Sequence, residues 1–109
     1  ALQAYRVASQ RWPKDKTVWL SLANHTYGLQ QYRQAQAALE QAAALDKTDP
    51  VVWNNLAYVY LAAGCPGQAR QAITRALQLN PQDPNLRDTE QEITTQAARL
   101  TDAVCELTQ

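Results

Sequence analysis

One histidine and two cysteines, His25, Cys65 and Cys105, are the residues of this 109-residue chain best suited to nucleophilic or metal chemistry. A zinc or haem site draws its ligands from short recurrent spacings such as C-x-x-C or H-E-x-x-H, and the sequence holds neither. A thiolate nucleophile needs an imidazole within hydrogen-bond reach, yet His25 and Cys65 fall in different helical segments of different units. His25 is expected to pack between helices with its ring nitrogens bonded or wet. There is no glycine-rich phosphate cradle and no Gly-x-Ser-x-Gly elbow. Asp46 with Asp49, and Glu90 with Glu92, read as helix-end or surface charges. Asn24-His25-Thr26 matches the glycosylation triplet but sits inside a predicted helix. The expectation is therefore a protein that is not an enzyme and uses no cofactor and no metal. The two cysteines leave two readings open. If they pair, they close a loop of about 40 residues that stabilises the fold by roughly 4 kcal/mol, and the compartment is oxidising, periplasmic or extracellular. If they stay as free thiols, a cytoplasmic location follows.

The elements that carry these residues recur. Shifting the chain by 34 residues lays Trp19 on Trp53, Leu22 on Leu56, Ala23 on Ala57, Ala35 on Ala69, Ala42 on Ala76, Leu45 on Leu79, and Asp49-Pro50 on Asp83-Pro84. A period of this length is that of a helix-turn-helix solenoid unit. Val18, Trp19, Leu22 and Leu29 fall at helical spacing, which predicts a helix from Thr17 to Leu29, and an amphipathic run predicts a second from Tyr32 to Leu45. The next unit repeats the pair, Pro50 to Ala63 and Gly67 to Leu79. Asp49 supplies an N-cap before a proline, and Gly64-Cys65-Pro66-Gly67 forms the turn. Asn85 to about Glu106 reads as one long polar helix with an inner stripe of Leu86, Ile93, Ala97, Leu100, Val104 and Leu107. A solenoid end needs such a piece, apolar inside and wet outside. One domain is expected, divided into residues 1–15, the second helix of a truncated repeat, then repeats 16–49 and 50–83, and a capping helix 84–109. The first residue, Ala1, and the lack of any methionine fit a fragment of a longer protein. Ten basic residues balance ten acidic ones without a basic run, so nucleic acid is not expected; no apolar stretch approaches the roughly 20 residues needed to cross a bilayer, so membrane insertion is not expected.

With these positions in place, the chain resembles the tetratricopeptide repeat (TPR) family. The second unit carries the family pattern in Trp53, Leu56, Ala57, Tyr60, Gly64, Ala69, Ile73, Ala76 and Pro81. The first carries it in Trp19, Leu22, Ala23, Tyr32, Ala35, Leu39 and Ala42, but has Thr26, Gln30 and Lys47 where tyrosine, glycine and proline are usual. The resemblance implies an all-α fold, a right-handed superhelix of antiparallel helix pairs with a long C-terminal capping helix, in which the tryptophans are packing residues. It also implies a protein-protein interaction module whose first helices line a concave groove for a peptide or partner segment. By register that groove takes Thr17, Leu20, Ser21, Asn24, Tyr27 and Gly28 from the first unit. The second unit gives Val51, Asn54, Asn55, Tyr58, Leu61 and Ala62, and the cap gives Asn85, Asp88, Thr89, Glu92 and Gln96. The residues expected to bind are Leu20, Asn24, Tyr27, Asn54, Asn55 and Tyr58. Asn24 and Asn55 stand where the carboxylate-clamp subclass places its asparagines, but Leu20, Asn85 and Thr89 replace its cations, so no preference for acidic C-termini is implied. The Gly-Cys-Pro-Gly turn with a later cysteine also looks like the tails that follow C39-like cysteine peptidase domains in bacterial envelope proteins, which gives an accessory role as the alternative. An apolar N-terminal edge around Tyr5 and Ala8 gives self-association as another.

Overall fold

The computed structural model describes residues 2–98 and Cys105. Among these the regular structure is helical: α1 (Leu2–Arg11), α2 (Lys16–Gly28), α3 (Tyr32–Leu45), α4 (Pro50–Ala62), α5 (Pro66–Leu79) and α6 (Pro84–Ala97). The four repeat helices lie within a residue or so of the ranges expected from periodicity. The capping helix is described only to Ala97, and Cys105 stands in non-helical backbone. One continuous helix to Glu106 is therefore not what the chain adopts, while Leu100, Val104 and Leu107 lie outside the described residues. Two compact units divide the chain, Ala1–Thr48 with α1 to α3 and Asp49–Gln109 with α4 to α6.

Small side chains decide how closely the helices of each hairpin approach. In the first unit α2 and α3 meet through Leu22, Ala23, Ala35, Leu39 and Ala42, all buried. In the second, Leu56, Ala57, Ala69, Ile73 and Ala76 repeat the arrangement, and Leu86 and Ile93 of α6 add to the core against α5. Alanine at the crossing leaves room for two backbones, and the larger residue beside it fills the remaining space. Thr26, fully enclosed where tyrosine is usual in the repeat pattern, satisfies its hydroxyl on the Leu22 and Ala23 carbonyls at 2.9 and 3.1 Å. On α1 Tyr5 and Val7 remain exposed, as does Trp12 just beyond its end.

The ends of the helices carry the same period. Asp15, Asp49 and Asp83 each accept a hydrogen bond from the backbone N–H two residues on, at 3.0, 2.9 and 2.9 Å. Each thereby satisfies one of the donors that a helix start leaves open. Both hairpins also close in the same way. Gln31 N–H reaches the Thr26 carbonyl and Cys65 N–H the Tyr60 carbonyl, at 2.9 and 2.8 Å. The residue between must then turn left-handed: Gly64 has φ 79° and Gln30 φ 62°. Glycine adopts that conformation freely, whereas a Cβ makes it costly.

In the first unit the two helix ends are also tied by charge. Lys16 Nζ at the start of α2 donates to Asp46 Oδ2 just after α3, at 3.0 Å. The Thr48 hydroxyl, Lys16 and the Thr48 backbone N–H together lower the Asp46 carboxyl from 3.8 to about 2.

Two outcomes follow for stability. Replacing Gln30 with glycine should raise the unfolding free energy by about 0.5–1 kcal/mol, and Gly64→Ala should lower it by about 1 kcal/mol, both read from urea denaturation. Because the folded carboxyl of Asp46 is the stronger acid, its contribution is present above its ordinary 3.8 and is lost as pH falls through about 2. Thermal melts across that range should drop for the natural chain and show a shallower pH slope for Asp46→Asn.

Candidate functional site

The residues expected to bind a partner lie on the first helix of each hairpin. In the first unit Leu20, Asn24 and Tyr27 recur at the i, i+4, i+7 spacing of one α2 stripe. Leu20 is half-buried, Asn24 is exposed and Tyr27 remains 38% exposed. The Tyr27 ring is braced by Tyr32 at the start of α3, with centroids 6.0 Å apart. His25, on the neighbouring stripe, packs its ring against Tyr5 of α1 at 5.3 Å. Its role is thus the packing expected of it.

In the second unit Tyr58 lies one period on from Asn24, and the α4 row through it is Val51, Asn55, Tyr58 and Ala62, again on one stripe. Val51 and Ala62 are exposed, and Asn55 and Tyr58 are half-buried. Asn54, one position round the helix, holds its Oδ1 away from solvent with no hydrogen-bond partner. An enclosed acceptor of this kind is costly, so Asn54 offers less to a ligand than Asn24 or Asn55 unless its side chain rotates.

From α6 the sequence assigned Asn85, Asp88, Thr89, Glu92 and Gln96 to the same face. Four of them are accessible, but Thr89 is 1% exposed. Its hydroxyl donates to the Asn85 carbonyl at 3.0 Å and shares a hydrogen bond with the Tyr58 hydroxyl at 3.2 Å. Thr89 is a strut between α6 and α4: although it shares a stripe with Asn85 and Glu92, its side chain is buried in the helix contact and is not open to a ligand. The consequence for Tyr58 is that its ring is held at a set height beside α6.

The half-buried tryptophans each have an engagement of their own. The Trp19 indole N–H donates to the Pro13 carbonyl at 2.8 Å. Arg75 lies over the Trp53 ring, 5.8 Å from its centroid. These contacts fit their reading as packing residues.

Cys65 and Cys105 are joined as a disulfide, with Cα atoms 4.6 Å apart across a sequence separation of 40. Cys65 is placed by the hairpin closure itself, since its N–H makes the bond back to Tyr60 and Pro66 opens α5 directly after it. Its sulfur is buried and committed to the bond, so it offers no thiolate to an imidazole. Among the described residues no group of His, Cys, Asp and Glu could hold a metal ion. No helix among them is long and apolar enough to cross a membrane.

Two features of these units escaped the sequence reading although each left a signal. Asp15 lies one period before Asp49 and is the third N-cap of a series, hidden because Lys16 replaces the proline that marks the others. The Asp46, Thr48 and Lys16 cluster has no counterpart in the second unit, where the register gives Asn80, Gln82 and Pro50.

The profile of the tetratricopeptide repeat matches residues 26–93. Cilia- and flagella-associated protein 70 of Homo sapiens and that of Macaca fascicularis are each 35% identical to this chain over 86 residues. That segment is 79% of this chain and 8% of each relative, so the chain spans only a small part of their length. Neither relative is named as a peptidase.

The disulfide gives a direct test of how α6 and the segment beyond it are held. Protein isolated without reductant should resist alkylation at both cysteines. Cys105→Ser should then lower the unfolding free energy by about 4 kcal/mol relative to the oxidised chain, the loss expected when a loop of this size is opened. Adding reductant to the natural chain should reproduce that loss.

Proposed function

The chain belongs to the tetratricopeptide repeat family, and from that membership we propose that it is a non-catalytic module holding a peptide or partner segment against the exposed face of a first helix, α2 or α4. Repeats of this family mediate contacts between proteins and generally serve as scaffolds without catalysis. The observation that carries the reading is the character of the first-helix faces. Asn24 and Asn55 present amides to solvent beside Tyr27 and Tyr58, and Val51 leaves 53% of its surface exposed. An asparagine amide offers a donor and an acceptor together, the complement of a peptide bond. Aromatic neighbours supply rigid contact area at small entropic cost.

The same positions hold nothing suited to bond-making, and the one cysteine of the hairpin turn is consumed in a disulfide. That covalent tie supports placing the module in an oxidising compartment, periplasmic or extracellular, which the alkylation result described above also tests. In the two relatives the matched segment is 8% of the length, which supports reading the unit as an accessory part of a longer protein.

A displayed library of short random peptides, panned on the intact chain, provides ligands for the test. Exchanging Asn24 and Asn55 together for alanine should weaken the enriched peptides by about 1–3 kcal/mol while helicity and melting temperature hold. Enriched peptides whose affinity is untouched by that double substitution would mean that binding lies elsewhere.

A further inference from the structure

Charge on the second unit is sorted by side. Its described arginines are each engaged by other groups than the α4 row. Arg75 lies over Trp53. Arg70 and Arg87 line a shallow cavity of about 420 Å³ between α5 and α6, together with Ile73, Glu90 and Thr94. Arg87 is further held by two hydrogen bonds to the Pro81 carbonyl, at 3.2 and 3.0 Å. The opposite flank of α6 carries Asn85, Asp88 and Glu92 at i, i+3 and i+7, one stripe of a helix. Thr89 fixes which way that flank points, because its hydroxyl reaches Tyr58 of α4. Glu92 lies one turn beyond Thr89 on the same side, and side chains three apart are neighbours on a helix surface. Across from them α4, Pro50–Ala62, contains no ionisable side chain except tyrosine. Among the described residues, neither Asp88 nor Glu92 has a hydrogen-bond or ion-pair partner.

We propose that the α4–α6 face of residues 49–109 takes a basic segment of a protein partner, with lysine or arginine seated over Tyr58 between the Asp88 and Glu92 carboxylates. The inference rests on the groove reading above and gives its occupant a chemistry. Two like charges at i, i+4 repel each other on a bare helix, and a cation between them removes that repulsion. The Tyr58 ring offers its face to the same cation, while Asn55 and Val51 along α4 take the neighbouring backbone and apolar parts. An acidic segment would meet carboxylates with no cation among the described residues of that flank to offset them.

The test uses a library of short peptides capped at both ends, so that no terminal charge contributes, panned on the intact oxidised chain. Enrichment of lysine or arginine is expected, with affinity falling as salt rises. Asp88→Asn with Glu92→Gln should weaken the enriched peptides by about tenfold, the size of a lost charge-assisted hydrogen bond. Asp88→Lys with Glu92→Lys should turn the enrichment toward acidic peptides. Both pairs lie on exposed positions, so melting temperatures report any damage to the fold. Peptides that bind, respond to Asn55→Ala and show no basic enrichment would overturn this inference and leave the groove reading standing. Peptides indifferent to Asn55→Ala as well as to the acidic pair would overturn both.

Discussion

At each hairpin a backbone N–H just beyond the first helix reaches back five residues to a carbonyl, Gln31 to Thr26 and Cys65 to Tyr60. The bond forms because the residue before it turns left-handed. That turn sets where the second helix starts, and with it which of its faces meets the first. Shifted by one residue, Ala35 and Ala42, or Ala69 and Ala76, would rotate out of the crossing and larger neighbours would hold the backbones apart. The stripe presented to solvent by α2 or α4 is what remains once that crossing is satisfied. The residues of those stripes are therefore positioned by a backbone bond and four alanines more than by any contact of their own.

The period made most of this architecture legible. Tryptophan, leucine and alanine recur because a packed crossing tolerates few alternatives, and Asp49-Pro50 recurs because a helix start needs an acceptor and allows a proline. Gln30 was visible as a departure from the usual glycine, and the fold takes the left-handed conformation there regardless, since closure outweighs the penalty of one Cβ. What the pattern concealed is local. Register assigned Thr89 to the binding face on position alone, but helical position gives a direction around an axis and not the reach of a neighbouring tyrosine. The same limit applies to Asn54, whose enclosed carbonyl depends on packing around it. Asp46 drew attention only as a helix-end charge, because its partners Lys16 and Thr48 meet in space through the hairpin and not through sequence order. α6 is Pro84–Ala97 where the pattern ran on to about Glu106, since apolar residues at helical spacing do not mark where a polar helix stops.

A net charge of zero conveys little about how this surface behaves. Opposite charges on one small unit can be paired, dispersed or sorted, and the average is blind to which. Sorting places arginines against an indole, a carbonyl and the outer cavity, and leaves carboxylates beside a row of amides and a tyrosine. Selectivity of a groove arises from such local fields, which act within about a Debye length, roughly 8 Å in physiological salt.

The Cys65–Cys105 bond changes how load would travel along the molecule. Tension arriving from the C-terminal side would otherwise peel helices away in order, α6 before α5. With the sulfurs joined, that tension enters the backbone at Cys65 and bypasses the 40-residue span between the two cysteines. Helices α5 and α6 then sit in a mechanically shielded loop, and the pull falls on the turn between α4 and α5. A break in the backbone within that span would likewise leave the pieces covalently joined.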